Sequence, residues 1–328
     1  MVSYKDNKRN HAFDILKFIM CFFVVVGHSV PSESKIYNYV IPLTSCAVPV
    51  FFMISGYLIY SRGLNDERLR RNVYRISKIF LCSWLLYFFL FPLYHNGQIY
   101  NPTIGDVARL IFLNEGGVRG HLWYLSAYVY VLVFFMFVIR RRLMDYILHL
   151  SVMSLIIYYT VNTIYLYYDI PFNLNMHYFF RNFMFTGIPY FTLGVILSKY
   201  EISIKRMRVP TLLLCLIWAV LSEFEINHFG FRSIVYGYST CPLAISIFLL
   251  TMTFSIKNQN IYSKIGERLS LYIYIFHPIV ITIVHEIYRH FNLQENIMVV
   301  IIVSLLSLGI SYMVELITKV VCLDRIKN

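Results

Sequence analysis

Charged residues are scarce in this chain: Asp, Glu, Lys and Arg make up only 14% of its 328 residues. A soluble globular domain carries roughly 25% charged residues. Here 58% of the residues are apolar and the mean hydropathy is +0.61. A water-soluble fold of this length has nowhere to bury so much apolar surface, so that class is excluded. Acidic residues are scarcer still, 17 against 29 basic, giving a net charge of +12. The basic excess lies in short segments between apolar runs, which marks it as a determinant of topology and excludes nucleic acid as the partner.

Other absences narrow the chemistry. The six cysteines form no CxxC pair, and most lie in apolar stretches, where a thiol acts as a small hydrophobe. A Cys46–Cys241 disulfide is compatible with their places near outward helix ends. No metal site is expected: His95, His121 and His228 fall in outer segments, but no HxxxH or HxH pair exists. Ser55 lacks the GxSxG context of a nucleophile elbow, so it is not read as a nucleophile. No internal repeat, low-complexity tract or second domain is visible, and residues 1–328 read as one integral membrane domain.

What the chain does have is long apolar runs. A helix needs roughly 20 mostly apolar residues to cross a bilayer. Such runs occur near residues 12–31, 40–61, 75–94, 121–139, 144–167, 178–198, 209–225, 234–255, 269–288 and 296–320. The basic stretch Lys5, Lys8 and Arg9 before the first run resembles a secretory signal, but that run is too long and lacks a small-residue cleavage site. Alternate inter-span segments hold 22 and six of the 29 basic residues, with Lys17 inside the first span. This bias places the richer set, and both termini, on the cytoplasmic side. The expected fold is an all-α polytopic bundle of about ten transmembrane helices. The glycine-rich segment 95–120 is expected to form a structured loop over the outward mouth.

Ionisable residues inside the membrane mark candidate function. The first span carries Asp14, Lys17 and His28. At 100° per residue Lys17 and His28 fall about 20° apart, with Asp14 about 40° from His28, so all three share one face. Asp14 and Lys17 are i,i+3 neighbours able to pair. Lys17 and His28 lie about 16 Å apart along the axis. The alternative is an interfacial Asp14–Lys17 pair with Lys17 snorkelling and His28 capping the outer end. Pro49 and the Ser55–Gly56 pair in the second span suit either close packing or a cavity wall. Trp123 and Tyr124 suit an interfacial aromatic belt, whereas His121 sits near the outer level of His28. His277 lies well inside the ninth span, before Pro278, which should kink that helix. Arg181 is either interfacial or lines a cavity.

These motifs together resemble a known family. Arg9 with Phe13-Asp14-Ile-Leu-Lys17-Phe, then Val24-Val-Val-Gly-His28-Ser, is similar to the opening helix of the membrane-bound acyltransferase family 3. Val48-Pro49-Val-Phe-Phe-Met-Ile-Ser55-Gly56-Tyr-Leu, His121-Leu-Trp123-Tyr-Leu and Ser270-Leu-Tyr-Ile-Tyr274-Ile-Phe-His277-Pro resemble three later signatures. The resemblance runs in order from residue 9 to about 320 and is nearest to bacterial O-acetyltransferases of surface polysaccharide. It departs in two places. Many members carry arginine where this chain has Lys17, which loses a bidentate fork for phosphate. No esterase-like domain is expected after the tenth span.

The resemblance implies transfer of an acyl group, usually acetyl, from cytoplasmic acyl-CoA to a hydroxyl of a saccharide or lipid-linked saccharide. Acetyl-CoA would be a donor substrate rather than a bound cofactor. Lys17, Arg9, Arg68, Arg71 and Arg75 would hold its phosphates. His28 would be the general base or carry the acyl group, and Asp14 would orient Lys17. His121, Trp123, Tyr124, Ser55, Tyr274 and His277 would line the substrate side. The rival reading is an amino-acid transporter, since membrane domains of this fold type occur fused to an amino-acid racemase. The lack of a fused enzyme and of an internal repeat weighs against it.

Overall fold

Asn10 starts the first helix by accepting the Ala12 N–H on its side-chain oxygen, at 3.1 Å. The same oxygen accepts the Ile256 N–H, so the start of the chain is tied to a segment far along it. The computed structural model describes residues 10–31, 34, 36–95, 97–115, 117–168, 180–199, 204, 206–229 and 237–327, and the side chains of 165–168, 226–227, 229 and 321–327 are not described. Lys5, Lys8 and Arg9 therefore lie outside the described residues. All regular structure among the described residues is helical.

The described residues form thirteen α-helices: α1 Ala12–Ser29, α2 Tyr37–Thr44, α3 Ala47–Ser61, α4 Asp66–Tyr94, α5 Ile104–Leu113, α6 Trp123–Arg140, α7 Ile147–Tyr168, α8 Ile188–Lys199, α9 Arg208–Phe229, α10 Thr240–Met252, α11 Ile261–Arg268, α12 Ser270–His290 and α13 Ile297–Lys327. Among the described residues, seven stretches are long and apolar enough to cross a membrane: 12–29, 37–61, 66–94, 120–140, 147–164, 270–290 and 297–320. They coincide with the first five and last two sequence-predicted spans. The sixth and eighth appear as shorter apolar helices, Phe183–Lys199 and Thr240–Met252, and the seventh falls on α9.

Two local differences from the sequence reading have physical causes. The second span is two helices, broken at Ser45 and Cys46. Pro49 falls in the first turn of α3, where a missing N–H leaves no intrahelical bond unmade. The sixth opens with a π-helical turn, Phe183–Gly187, whose first N–H groups are capped by the Asn182 side chain.

The helices group into two compact units. In the first, formed by Met1–Ala47, Ile202–Asn227 and Ser239–Asn328, α1 touches α2, α10, α11, α12 and α13. Its crossing with α11 is backbone against backbone: a Cβ on Gly266 would stand 1.8 Å from the Asp14 carbonyl oxygen. Helices α1 and α12 run parallel and in register, because Cys21 to the Ser270 carbonyl and His28 to His277 both join residues 249 apart. Glu225 on α9 is buried and accepts the Ser239 N–H at 2.9 Å, where α10 begins. A carboxylate at that place answers the partial positive charge of the helix start.

The second unit, Val48–Glu201 and His228–Tyr238, contains α4 to α8 and nearly all of α3. Helix α4 is capped by Asn65, which accepts the Arg68 N–H at 2.9 Å. It packs along α6, and Arg140 grips Asp66 with two hydrogen bonds, 2.7 and 3.0 Å long, where α6 ends and α4 begins. Gly56 and Gly194 let α3 and α8 meet at their backbones, where added Cβ atoms would reach carbonyl oxygens at 2.1 and 2.0 Å.

Candidate functional site

In the first unit the polar face of α1 is built as its period requires. Asp14 is buried, and its two oxygens face Lys17 Nζ at 3.1 Å and His11 Nδ1 at 3.3 Å. The carboxylate thus fixes the lysine ammonium one turn into the helix, and each side chain reaches it from three residues away. Glu267 on α11 completes the group: His11, Asp14 and Glu267 bring one ligand atom each within 4.8 Å of one another. Glu267 also accepts a hydrogen bond from the Gln259 side chain at 2.6 Å. The trio has donors of a type that can hold a cation, and Asp14 already faces Lys17 with its other oxygen.

Eleven residues further on, His28 stands exposed in the last turn of α1. Its ring centroid lies 5.4 Å from that of His277, with the ring planes tilted by 31°. His277 is fully buried, and Tyr274 lies 6.2 Å from it, ring to ring. The His277 Nδ1 lies 2.9 Å from the Tyr274 carbonyl and 3.1 Å from that of Ile273. Carbonyls only accept, so Nδ1 carries the hydrogen and Nε2 holds the lone pair of the neutral ring.

The Tyr274 carbonyl is the acceptor that an N–H at position 278 would serve in a regular helix. Residue 278 is proline and has no N–H. His277 supplies the missing donor, and α12 continues unbroken from Ser270 to His290. The freed carbonyl therefore accounts for one ring nitrogen of His277.

In the second unit, His121 and Trp123 are buried at the start of α6. His121 lies edge-on to Tyr87 at 4.8 Å. The Arg181 guanidinium covers the Trp123 ring at 4.9 Å, within cation–π range. Tyr124 is half-buried and contacts Phe52 edge-on at 4.8 Å. Ser55 donates to the Phe51 carbonyl at 2.9 Å within its own helix.

The arginines of α4 divide. Arg68 donates to the Gly63 carbonyl at 3.0 Å, and Arg71 faces Glu67 at 3.6 Å. Arg70, beside them, pairs with Asp66 at 3.1 Å. Arg75 is exposed.

The structure thus joins Asp14 with Lys17, and His28 with His277 and Tyr274. The second unit separately holds His121, Trp123, Tyr124, Ser55, Arg68, Arg71 and Arg75. Arg9 lies outside the described residues. Sequence reasoning missed His11, Glu267 and Tyr87. His11 carried a signal, three residues before Asp14 on the same helical face, whereas the other two are brought in by helix packing. Cys46 is a free thiol, so it forms no disulfide with Cys241.

Residues 10–316 match the family described as an acyltransferase domain, and the chain belongs to acyltransferase family 3. It is similar to a protein named "Amino-acid racemase" from Enterococcus faecalis, 25% identical over 314 residues, 88% of this chain and 43% of that protein. It is also similar to a "Serine/alanine racemase" from Enterococcus gallinarum, 25% identical over 324 residues, 92% of this chain and 45% of that protein. The chain spans less than half the length of these relatives. No solved structure matches it.

Proposed function

We propose that this protein is a membrane O-acyltransferase, specifically an O-acetyltransferase, carrying an acyl group from cytoplasmic acyl-CoA to a saccharide hydroxyl. The observation that carries the reading is one helix holding both an Asp14-fixed ammonium and, about 16 Å along its axis, an exposed histidine backed by a second. The proposed setting is a bacterial plasma membrane crossed ten times, with both termini and most basic residues in the cytoplasm. Acetyl-CoA binds as donor substrate; the acceptor is a cell-surface or lipid-linked saccharide.

Lys17 binds donor phosphate; Arg68, Arg71 and Arg75 are, in their own unit, cationic groups of the kind that binds phosphate. The pantetheine arm runs along the polar face of α1 and presents its thioester at His28. The His28 imidazole takes the proton of the acceptor hydroxyl as its oxygen attacks the thioester carbonyl. The carbon–sulfur bond breaks, coenzyme A leaves as the thiolate, and the imidazolium returns the proton to it. Positioned general-base catalysis of this kind is worth about 10²–10⁴ in rate. His277, its Nδ1 committed to a carbonyl, packs its ring against that of His28. His121, Trp123, Tyr124 and Ser55 belong to the acceptor side. The test is mass spectrometry of surface glycans from cells with and without the gene: loss of an acetyl mass supports the reading, and an unchanged glycan profile counts against it.

One observation favours a second reading, movement of an amino acid across the membrane: both relatives are named as racemases of amino acids. There the polar face of α1 would be a permeation path. Uptake of labelled serine into proteoliposomes, without any turnover of acetyl-CoA, would support transport instead.

A further inference from the structure

Helix α5 presents an apolar face to its surroundings. Ile104, Val107, Ile111 and Phe112 are 91%, 49%, 48% and 73% exposed. At 100° per residue they share an arc of about 140°, and no residue of α5 is buried. We propose that α5 is an interfacial helix whose apolar face rests among the acyl chains of membrane lipid.

Its two ends leave it little choice of level. Tyr100, four residues before α5, packs its ring 4.9 Å from Phe91, 6.2 Å from Phe88 and 6.3 Å from Trp84 on α4. On the other side, a Cβ on Gly117 would stand 3.0 Å from Trp84 Nε1 and 3.7 Å from the Tyr100 hydroxyl. The segment therefore leaves and returns at the same indole. Trp84 lies ten residues before the end of α4, about 15 Å down its axis. Both ends of α5 are thus held by ring and backbone contacts to roughly the last three turns of α4, which keeps the helix beside that end of a membrane-crossing helix.

The lipid occupant follows from continuity. Beside the tether, α4 carries its own exposed apolar stripe, Leu81, Leu85, Phe89 and Leu93, with Phe89 against Phe88 at 5.6 Å. A face of this length and pattern, next to a lipid-facing stripe, is that of a helix lying in the interface. The capping box of Thr103 and Asp106 keeps the helix formed at one end, and Asn114 in the left-handed conformation ends it at the other. Asn114 also accepts the Ser126 hydroxyl and the Phe183 N–H, so the seated helix is fastened to the beginning of α6. The proposal rests on the membrane placement of α4 and is independent of acyl transfer.

Spin labels at Ile104→Cys and Phe112→Cys, in a cysteine-free background reconstituted in liposomes, test it. Power saturation is expected to give both sites the high oxygen and low nickel-chelate accessibility of the lipid reference Phe89→Cys. Nickel accessibility equal to that of the exposed loop reference Asn258→Cys would overturn the proposal. Strong dipolar broadening between labels of two copies would overturn it as well, by placing a second chain on this face. Acetyl transfer measured on the same samples reports the catalytic reading separately.

Discussion

His277 donates its Nδ1 hydrogen to the Tyr274 carbonyl, 2.9 Å away, and so replaces the bond that Pro278 deletes. Histidine and proline are therefore one device. The proline frees a carbonyl, the histidine takes it, and the ring is locked in one tautomer beside His28. This relationship makes a stability prediction that needs no assay of function. His277→Phe leaves a buried carbonyl unserved and is expected to cost about 1–3 kcal/mol. Pro278→Ala restores the backbone N–H and should recover most of that loss in the double variant. Thermal unfolding of the four proteins in detergent measures the coupling, and simple additivity would refute the arrangement.

The close crossing of α1 and α11 makes a second prediction. Gly266→Ala forces a Cβ against the Asp14 carbonyl, whose oxygen would be 1.8 Å away. Displacing a packed backbone of this kind is expected to destabilise by about 1–3 kcal/mol. Because Asp14 would move with it, the apparent KM for acetyl-CoA should rise in the same variant. A variant with wild-type melting behaviour would mean that the two helices do not meet this way.

Asp14 holds Lys17, and its own negative charge does so. Asp14→Asn is expected to raise KM for acetyl-CoA by roughly tenfold, equivalent to about 1.4 kcal/mol of binding. Lys17→Arg should keep binding and Lys17→Ala should lose it. Donor kinetics at a fixed acceptor concentration separate these cases, and an unchanged KM in both Asp14→Asn and Lys17→Ala would remove the donor role from this pair.

Acid should loosen the start of α5 only late. Hydrogen bonds from Thr103, the hydroxyl first, hold the Asp106 carboxyl below its ordinary 3.8, with Arg109 beside it. A depressed carboxylate contributes its stabilisation fully above the ordinary value and loses it as pH falls through the lower folded one. The cap is therefore expected to survive at pH 4 and to fail below 3.8. Amide exchange at Asp106 against pH reads this directly, and loss of protection already near pH 5 would contradict it.

Much of the α1 site was legible because it is local. The helical period alone put Asp14, Lys17 and His28 on one face, and i,i+3 spacing paired the first two. His11 obeyed the same rule and went unread only because it precedes the apolar run. Contacts between helices carried no such mark: Glu267 and His277 reach α1 through packing. The break at Ser45 was hidden because Pro49 was weighed as a mid-span residue, although it falls in a first turn. Helix α5 was present in the sequence as Thr103-x-x-Asp106 with apolar residues at 104, 107 and 111, but it is too short to register as a span. The shorter Thr240–Met252 lies on a longer apolar run, and composition alone does not reveal where such a run stops being helical.

The proposed proton transfer falls to His28. Purified protein in nanodiscs, given labelled acetyl-CoA and a saccharide acceptor, reports it through label on the acceptor and free coenzyme A. The wild type is expected to form both products together, while His28→Ala, folded and still binding acetyl-CoA, should lose at least about a hundredfold in rate. Acceptor labelling by His28→Ala at the wild-type rate would contradict the account.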